Sequence, residues 1–410
     1  MKLLLIHQNF PGQFMHLAPA LAKRGHDVHA LFHARNKVPT KIWKGVTIHP
    51  YHVTRSSSKN IHPWIVDIET KTIRAEACYF ASKKLKECGF VPDLVIAHPG
   101  WGEALFIKDV WPQTKLVLYC EYFYQPSGGD WNFDSEFTPE DPGGICRLHL
   151  KNLCSIQQFE TMDYGISPTQ WQASTYPERV ANKIKVIHDG LDTTTISPNE
   201  NIKLRVNNTM VLSRRDEVIT FVNRNLEPLR GYHIFMRALP HLLKKRPLAT
   251  ILIVGGDGTS YSQKPLGKTS WKQVLIDEVR PQISDENWSR VHFLGNIQRN
   301  QFTALLQVST VHVYLSYPFV LSWSLIEAMS AGCAIVAANT APIREVIKDG
   351  ETGCLVDFFD IIALTQKVDD LIGNLDLRKS LGNAARSFAV EHYDLSATCL
   401  PEQIRWVESL

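Results

Sequence analysis

The feature that most constrains this chain is a rhythm that occurs twice. Short, continuous Val/Ile/Leu runs, each followed by a longer stretch with helical spacing, fill the first half and then the second. Runs of this kind, unbroken rather than alternating, suit strands covered on both faces. In the first half the strand candidates are 2–7, 28–32, 94–97, 116–119 and 184–187, with helices over 14–24, 71–87 and 147–161, the first two closed by Gly25 and Gly89. In the second half the strands are 218–222, 251–254, 291–294, 311–315, 334–338 and 353–356, separated by helices at 231–245, 272–279, 299–307, 324–331 and 343–348. Strand and helix in alternation predict a doubly wound parallel sheet in each half.

A length of 410 residues exceeds what one core usually supports, and the rhythm lapses once, in the polar stretch after Asp189-Gly190. We therefore expect an N-terminal α/β domain over 1–192, a linker over 193–216, a C-terminal α/β domain over 217–392 and a final helical segment over 393–410. Two such sheets facing each other leave a cleft. Trp406 and Val407 give the last helix an apolar face that must be buried, and packing back on the first domain is the expectation.

Composition excludes several classes. There are 44 Lys+Arg against 41 Asp+Glu, and residues 1–195 hold 21 basic and 19 acidic side chains, leaving 23 and 22 for the rest. Neither half is a polyelectrolyte, so capture of nucleic acid is not expected. The eight cysteines form no C-x-x-C pair and several sit in apolar runs, which points to small buried thiols in a reducing, cytoplasmic setting. The apolar run at Leu3–Ile6 ends at His7, too short for a secretory core, and no later run is long enough to span a bilayer. Any membrane contact is then peripheral, at the inner face.

Four stretches carry candidate chemistry. The loop 8–13 follows the first strand, where an open α/β sheet receives ligands; its Gly12 serves either a tight turn or the close approach of a phosphate. Arg224 ends the first strand of the second half and Arg230-Gly231 opens its helix, so two guanidiniums can converge on a diphosphate through charge-assisted bonds. Gly255-Gly256-Asp257-Gly258 forms a glycine turn at another strand end. Within 316–332, Glu327 falls in an otherwise apolar helix and needs a partner, either the hydroxyls of a ribose or a neighbouring arginine or backbone group.

In this order the pieces resemble glycosyltransferase family 4, of the GT-B fold, with two Rossmann-like domains facing a central cleft. The residues that carry the resemblance are Gly12, His98, Val186-Ile187-His188-Asp189-Gly190-Leu191-Asp192, Arg224 with Arg230-Gly231, the 255–258 turn, Phe293-Leu294-Gly295, and Leu325-Ile326-Glu327-Ala328-Met329-Ser330-Ala331-Gly332. The resemblance implies transfer of a sugar from a nucleotide-diphosphate sugar, UDP- or GDP-linked, to a hydroxyl of a glycan, glycolipid or glycoprotein. It further implies retention at the anomeric carbon, no bound metal and no cofactor. It assigns Arg224 and Arg230 to the leaving diphosphate, Glu327 to the ribose, the backbone near Asn296 and Ile297 to the base, Gly12 to the region of the phosphates, and Gly256 to the donor. His98 is assigned to the donor sugar, though beside Pro99-Gly100 it could equally cap the loop, and the backbone of Val320, Leu321 and Ser322 is assigned to diphosphate and sugar.

One departure stands out. The family often has Glu-x7-Glu, and the position eight residues before Glu327 is Phe319. This leaves the donor sugar open and keeps open an inactive nucleotide-sugar-binding or scaffold relative; another GT-B enzyme, such as a nucleotide-sugar epimerase, is a separate alternative. For the acceptor, the aromatic loop 122–134 offers Tyr122, Tyr124 and Trp131 as sugar-stacking faces, or else packs on itself. The segment 55–64 is a candidate acceptor lid, whose Arg55, Lys59 and Trp64 also suit anionic lipid.

Overall fold

A computed structural model describes residues 1–35, 41–138, 141–265, 267 and 270–410. It divides the chain into two compact units, Met1–Trp131 with Thr138–Gly190 and Ser396–Leu410, and Asn132–Phe137 with Leu191–Leu395.

The first unit is built on eight strands: β1 (Lys2–Ile6), β2 (Asp27–His33), β3 (Ile42–Trp43), β4 (Val46–Tyr51), β5 (Leu94–Ala97), β6 (Lys115–Tyr119), β7 (Tyr164–Ser167) and β8 (Ile184–Val186). Their order in the sheet is β3-β4-β2-β1-β5-β6-β7-β8, parallel except for the β3–β4 pair. Strand β1 shows why its run is continuous. Leu3 and Leu5 enter one apolar cluster while Leu4 and Ile6 enter the other, so each face of the strand is covered. The helix Leu400–Ser409 belongs to this unit: Val407 is fully buried in the first cluster, with Ile404 and Trp406 beside it. Its Glu408 carboxylate accepts two hydrogen bonds from the Arg24 guanidinium, at 2.7 and 2.9 Å.

Sequence reasoning missed three of these strands. In β4, Thr47, His49 and Pro50 break up the apolar pattern, and β3 and β7 are short. The predicted helix 14–24 is a 3-10 turn at Gly12–Phe14 followed by the helix Leu17–Lys23.

The second unit adds the hairpin β9 (Lys203–Arg205) and β10 (Val211–Ser213), then β11 (Val218–Asn225), β12 (Thr250–Gly256), β13 (Val291–Gly295), β14 (Val311–Tyr314), β15 (Ile335–Ala338) and β16 (Cys354–Val356). The main sheet runs β13-β12-β11-β14-β15-β16, all parallel. Helix Tyr232–Lys245 buries Tyr232, Phe235, Met236, Leu239 and Leu242, an apolar stripe at helical spacing, and Phe235 stacks on Phe221 of β11 with centroids 4.5 Å apart. The stretch expected to be a linker, 193–216, lies within this unit and carries the hairpin. The predicted helix 343–348 is the shorter Ala341–Arg344.

Among its parallel strands, each main sheet reverses its strand order once. In the first the reversal lies between β1 and β5, in the second between β11 and β14. The carboxyl ends of the strands flanking such a reversal are where an open α/β sheet forms its crevice.

Candidate active site

At the reversal in the second unit, a cavity of about 380 Å³ is lined by Arg224, Glu227, Arg230, Arg299, Ser322 and Glu327, among others. Arg224, at the end of β11, is exposed, and no carboxylate pairs with it among the described residues. Arg230 is nearly buried. Its Nη1 donates to Ser316 Oγ at 3.0 Å and to the Val320 carbonyl at 3.4 Å, and its guanidinium lies over the rings of Tyr261 and Phe319 at 5.3 and 5.6 Å. The fork is thus aimed by neutral partners, which leaves its charge available. Gly231 follows in the left-handed region at φ +69, and a Cβ there would come within 2.2 Å of Leu315 Cβ, so this turn requires glycine.

Glu227, which sequence reasoning passed over, organises the facing loop. Its buried Oε2 accepts from the backbone N–H of Ser260, Tyr261 and Ser262 at 3.0, 3.1 and 2.9 Å, which brings the Tyr261 ring to Arg230. Its partners lie 33 to 35 residues downstream, beyond any local pattern.

Glu327 sits in the helix Trp323–Ser330 and is 5% exposed. Burial pushes its carboxyl up; the hydrogen bond and charge of Arg299, whose Nη2 lies 2.5 Å from Oε1, pull the other way. Of the two partners considered, the arginine is the one present here, and Arg299 is largely exposed. Ser322 caps the same helix, its Oγ accepting from Ser324 N at 3.3 Å, and its own N–H donates to Tyr314 Oη at 3.3 Å. Phe319, in place of the family's carboxylate, is buried against Tyr261 with centroids 4.8 Å apart. Val320 is half-buried and Leu321 buried in the same loop. Gly256 ends β12, with Asn296 beside it; Asn296 is exposed and Ile297 half-buried just past β13, and neither lines the cavity.

The first unit brings a different set to its own reversal. His98 follows β5 and His7 follows β1, with ring centroids 5.4 Å apart. Gly100 N–H donates to His98 Nδ1 at 3.1 Å, so the ring proton lies on Nε2 and faces Glu121 Oε2 at 3.3 Å. In the same way Asn9 N–H donates to His7 Nδ1, and Nε2 meets Gln13 Oε1 at 2.6 Å. Gln13 Nε2 completes the chain by donating to Glu121 Oε1 at 3.1 Å.

Burial, with the nearby His98, holds the His7 imidazole down at about 3. For Glu121, burial acts to raise the carboxyl, but the hydrogen bond and charge of His98, with help from His7 and Gln13, outweigh it and leave it below the usual range. Glu121 is the second residue that sequence reasoning missed, because its partners are scattered along the chain. Gly12 sits against His7 at φ +46; a Cβ there would meet the imidazole at 2.3 Å, so ring and glycine are matched.

The aromatic loop divides. Tyr122 donates to Asp130 Oδ1 at 2.8 Å and stacks near Trp171, Tyr124 lies under Lys151 Nζ at 3.5 Å, and the Trp131 ring packs at Gly144, all in the first unit. Residues 132–137 belong to the second unit. There the Asp134 carboxylate accepts from Tyr317 Oη at 2.6 Å and lies 3.1 Å from His233, and Glu136 pairs with Arg237. The candidate lid is anchored: Ser58 bonds Glu69 and the Trp64 ring lies on Gly143.

Two parallel-stranded Rossmann-like units in sequence define a protein of the GT-B fold class. Solved structures agree. The chain matches the crystal structure of HepE from Anabaena in complex with UDP over 100% of both chains (TM-score 0.69, 16% identity), and sucrose-phosphate synthase from Thermosynechococcus elongatus over 100% of this chain and 99% of that one (TM-score 0.73, 16% identity). The family model for the glycosyl transferase family 4 group matches residues 24–196, and that for glycosyl transferases group 1 matches 211–388. The chain belongs to this glycosyltransferase family.

Among curated relatives, a D-inositol 3-phosphate glycosyltransferase from Mycobacterium sp. (strain KMS) is 28% identical over 51% of this chain and 44% of its own length. Spore coat protein SA of Bacillus subtilis (strain 168) is 25% identical over 61% and 63%. The matched part is therefore about half the length of the first of these relatives. Among the described residues no helix is long and apolar enough to cross a membrane.

Proposed function

We propose that the chain transfers a sugar from a nucleoside-diphosphate sugar to a hydroxyl acceptor, with retention and without a resident metal. The observation that carries this reading is the pair Arg224 and Arg230 beside Glu327 at the β11/β14 reversal. Arg230 is held by neutral partners and Arg224 is unpaired among the described residues, so both charges are free to meet a diphosphate. On the departing group they stabilise charge that grows as the glycosidic bond breaks. Glu327 exchanges Arg299 for the ribose hydroxyls.

The acceptor oxygen forms its bond to the anomeric carbon as the bond to the phosphate oxygen breaks, and its proton passes to that phosphate oxygen. The protein's work is positioning and charge stabilisation. His98, oriented by Glu121, contacts the donor sugar, and the backbone of Gly12 and Gly256 lies near the phosphates. Asn296 and Ile297 meet the base, and Val320, Leu321 and Ser322 meet diphosphate and sugar. Tyr122, Tyr124 and Trp131 stack on the acceptor, a glycan, glycolipid or glycoprotein. The solved relative with UDP-glucose favours a UDP-sugar donor. We place the protein in the cytoplasm, with peripheral membrane contact where the acceptor is a lipid.

Phe319 favours a second reading, a nucleotide-sugar binder without turnover, since an aromatic ring cannot accept a sugar hydroxyl as a carboxylate does. A screen of UDP-, GDP- and ADP-sugars, scored for released nucleotide with and without acceptor extracts, separates the two. Release that depends on acceptor supports transfer; binding without release supports the binder; no donor bound by any assay refutes both.

A further inference from the structure

We propose that the first unit holds an anion subsite, built from Arg35, Arg55 and Arg74, that takes a phosphate group of the acceptor. The inference rests on the transferase reading for the identity of the occupant as acceptor, and on the following geometry for its chemistry.

Strand β2 pairs in parallel with β1, and β4 in parallel with β2, so the residues after them share the carboxyl edge that carries His7 and His98. There a cavity of about 300 Å³ is lined by the three arginines with His33, Ser57 and Thr70. Arg55 reaches Glu76 at 3.4 Å, but both side chains are more than half exposed, so this pair contributes little and leaves most of the charge unspent. Arg35 and Arg74 have no carboxylate partner among the described residues.

The buried Glu103 carboxyl, on which the Arg74 charge acts, accepts from Tyr51 Oη at 2.5 Å. Burial raises its carboxyl, while the bond from Tyr51 and the charges of Arg74 and His98 pull the other way. His33 registers the resulting field: burial first, then Arg35, Arg74 and His52, hold its imidazole below the usual value. In a chain whose net charge is only +3, three guanidiniums around one small cavity are a local arrangement rather than a general excess.

Planar guanidinium forks match the oxygens of a phosphate, and several of them together suit a phosphomonoester dianion better than a single carboxylate. The cavity has room for such a group with a small polyol attached. Two sources share this chemistry, a soluble phosphorylated polyol or sugar and the headgroup of a phospholipid.

The test uses the full chain with saturating UDP, so that the arginines of the second unit are occupied. Glycerol 3-phosphate and glycerol are titrated by calorimetry, and phosphatidylcholine vesicles with and without phosphatidic acid are tested by co-sedimentation. The expected result is binding of the phosphate-bearing probe, not of glycerol, with Arg35→Gln/Arg74→Gln weakening it about tenfold or more. Arg35→Lys/Arg74→Lys retains part of the affinity.

Arg35 is exposed, so Arg35→Gln alone provides a variant whose folding is not at risk, with a smaller loss in the same direction. Binding of glycerol 3-phosphate identifies a soluble ligand, and binding only to phosphatidic acid vesicles identifies a headgroup. Equal affinity in wild type and variants, or no binding of either probe, overturns the proposal. UDP affinity is measured separately on the same proteins. A wild type that fails to bind UDP sinks the transferase reading, whereas variants that lose phosphate but keep UDP support this subsite.

Discussion

The two sheet edges occupy the same topological position and are chemically opposite. At the edge of the first unit, His7, Gln13, Glu121 and His98 satisfy one another in a chain of hydrogen bonds, and one of the two imidazoles is held neutral by burial. At the edge of the second, Arg230 is fixed by a hydroxyl, a carbonyl and two aromatic faces, Arg224 is unpaired among the described residues, and Glu327 is held by the exposed Arg299. The reversal of strand order supplies a crevice in both. What the crevice does depends on the side chains that follow each strand. The first edge is arranged to orient, the second to hold charge.

The sharpest way to break this contrast is to remove the charges. Arg230→Ala is expected to lower turnover by about 10³-fold and Arg224→Ala by about 10². The two differ in stability: the buried Arg230 leaves Ser316 and Val320 without their donor, so its variant melts lower, while the exposed Arg224 variant melts as wild type does. Turnover assays with thermal melts check both. A loss for His98→Ala as large as that for Arg230→Ala would erase the division of labour.

Acid sharpens the comparison in another way. Burial holds His7 at about 3 and His49 and His188 at about 4 in the first unit, against His312 at about 4 in the second. Their folded values lie below the ordinary imidazole value of about 6.5, so between these values the unfolded chain binds more protons. Their contribution is complete above pH ~6.5 and is lost as pH falls toward 4, at about 2 kcal/mol for each of the fully buried His188 and His312 by pH ~5 and less for the partly exposed His49. With three such groups against one, amide exchange at falling pH should open the first unit's segments before the second's. Simultaneous opening of both contradicts this.

Much of this architecture can be read from the chain, because buried parallel strands leave continuous apolar runs such as Leu3–Ile6 and 94–97. Strands with a polar or interrupted pattern cannot be read that way. β4 carries Thr47, His49 and Pro50, and its burial comes from the sheet around it. The site divides along the same line. Arg224, Arg230-Gly231 and Glu327 stand out because charge or glycine interrupts an apolar context. Glu121 and Glu227 do not, since each takes its meaning from partners that only the fold brings near: His98 lies 23 residues before Glu121, and the 260–262 amides lie 33 to 35 after Glu227. The assignment of residues 132–137 to the second unit was equally hidden, because it depends on Tyr317 and His233.

Two smaller effects refine the picture of the second edge. Glu327→Gln should weaken nucleoside-diphosphate binding about tenfold by calorimetry, with little change in melting, since an amide fills the same space but accepts more weakly. Asp134→Asn should cost about 1–2 kcal/mol through weakened bonds to Tyr317 and His233, seen as faster amide exchange around 316–322. Exchange in β1 and β5 should not change.

The central claim is that the guanidiniums at the β11/β14 reversal bind a diphosphate. Calorimetric titration of UDP into wild type and Arg224→Ala tests it most directly. The account predicts one site in the wild type and an affinity at least about tenfold weaker in the variant. Equal affinities, or no binding to a folded wild type, would contradict it.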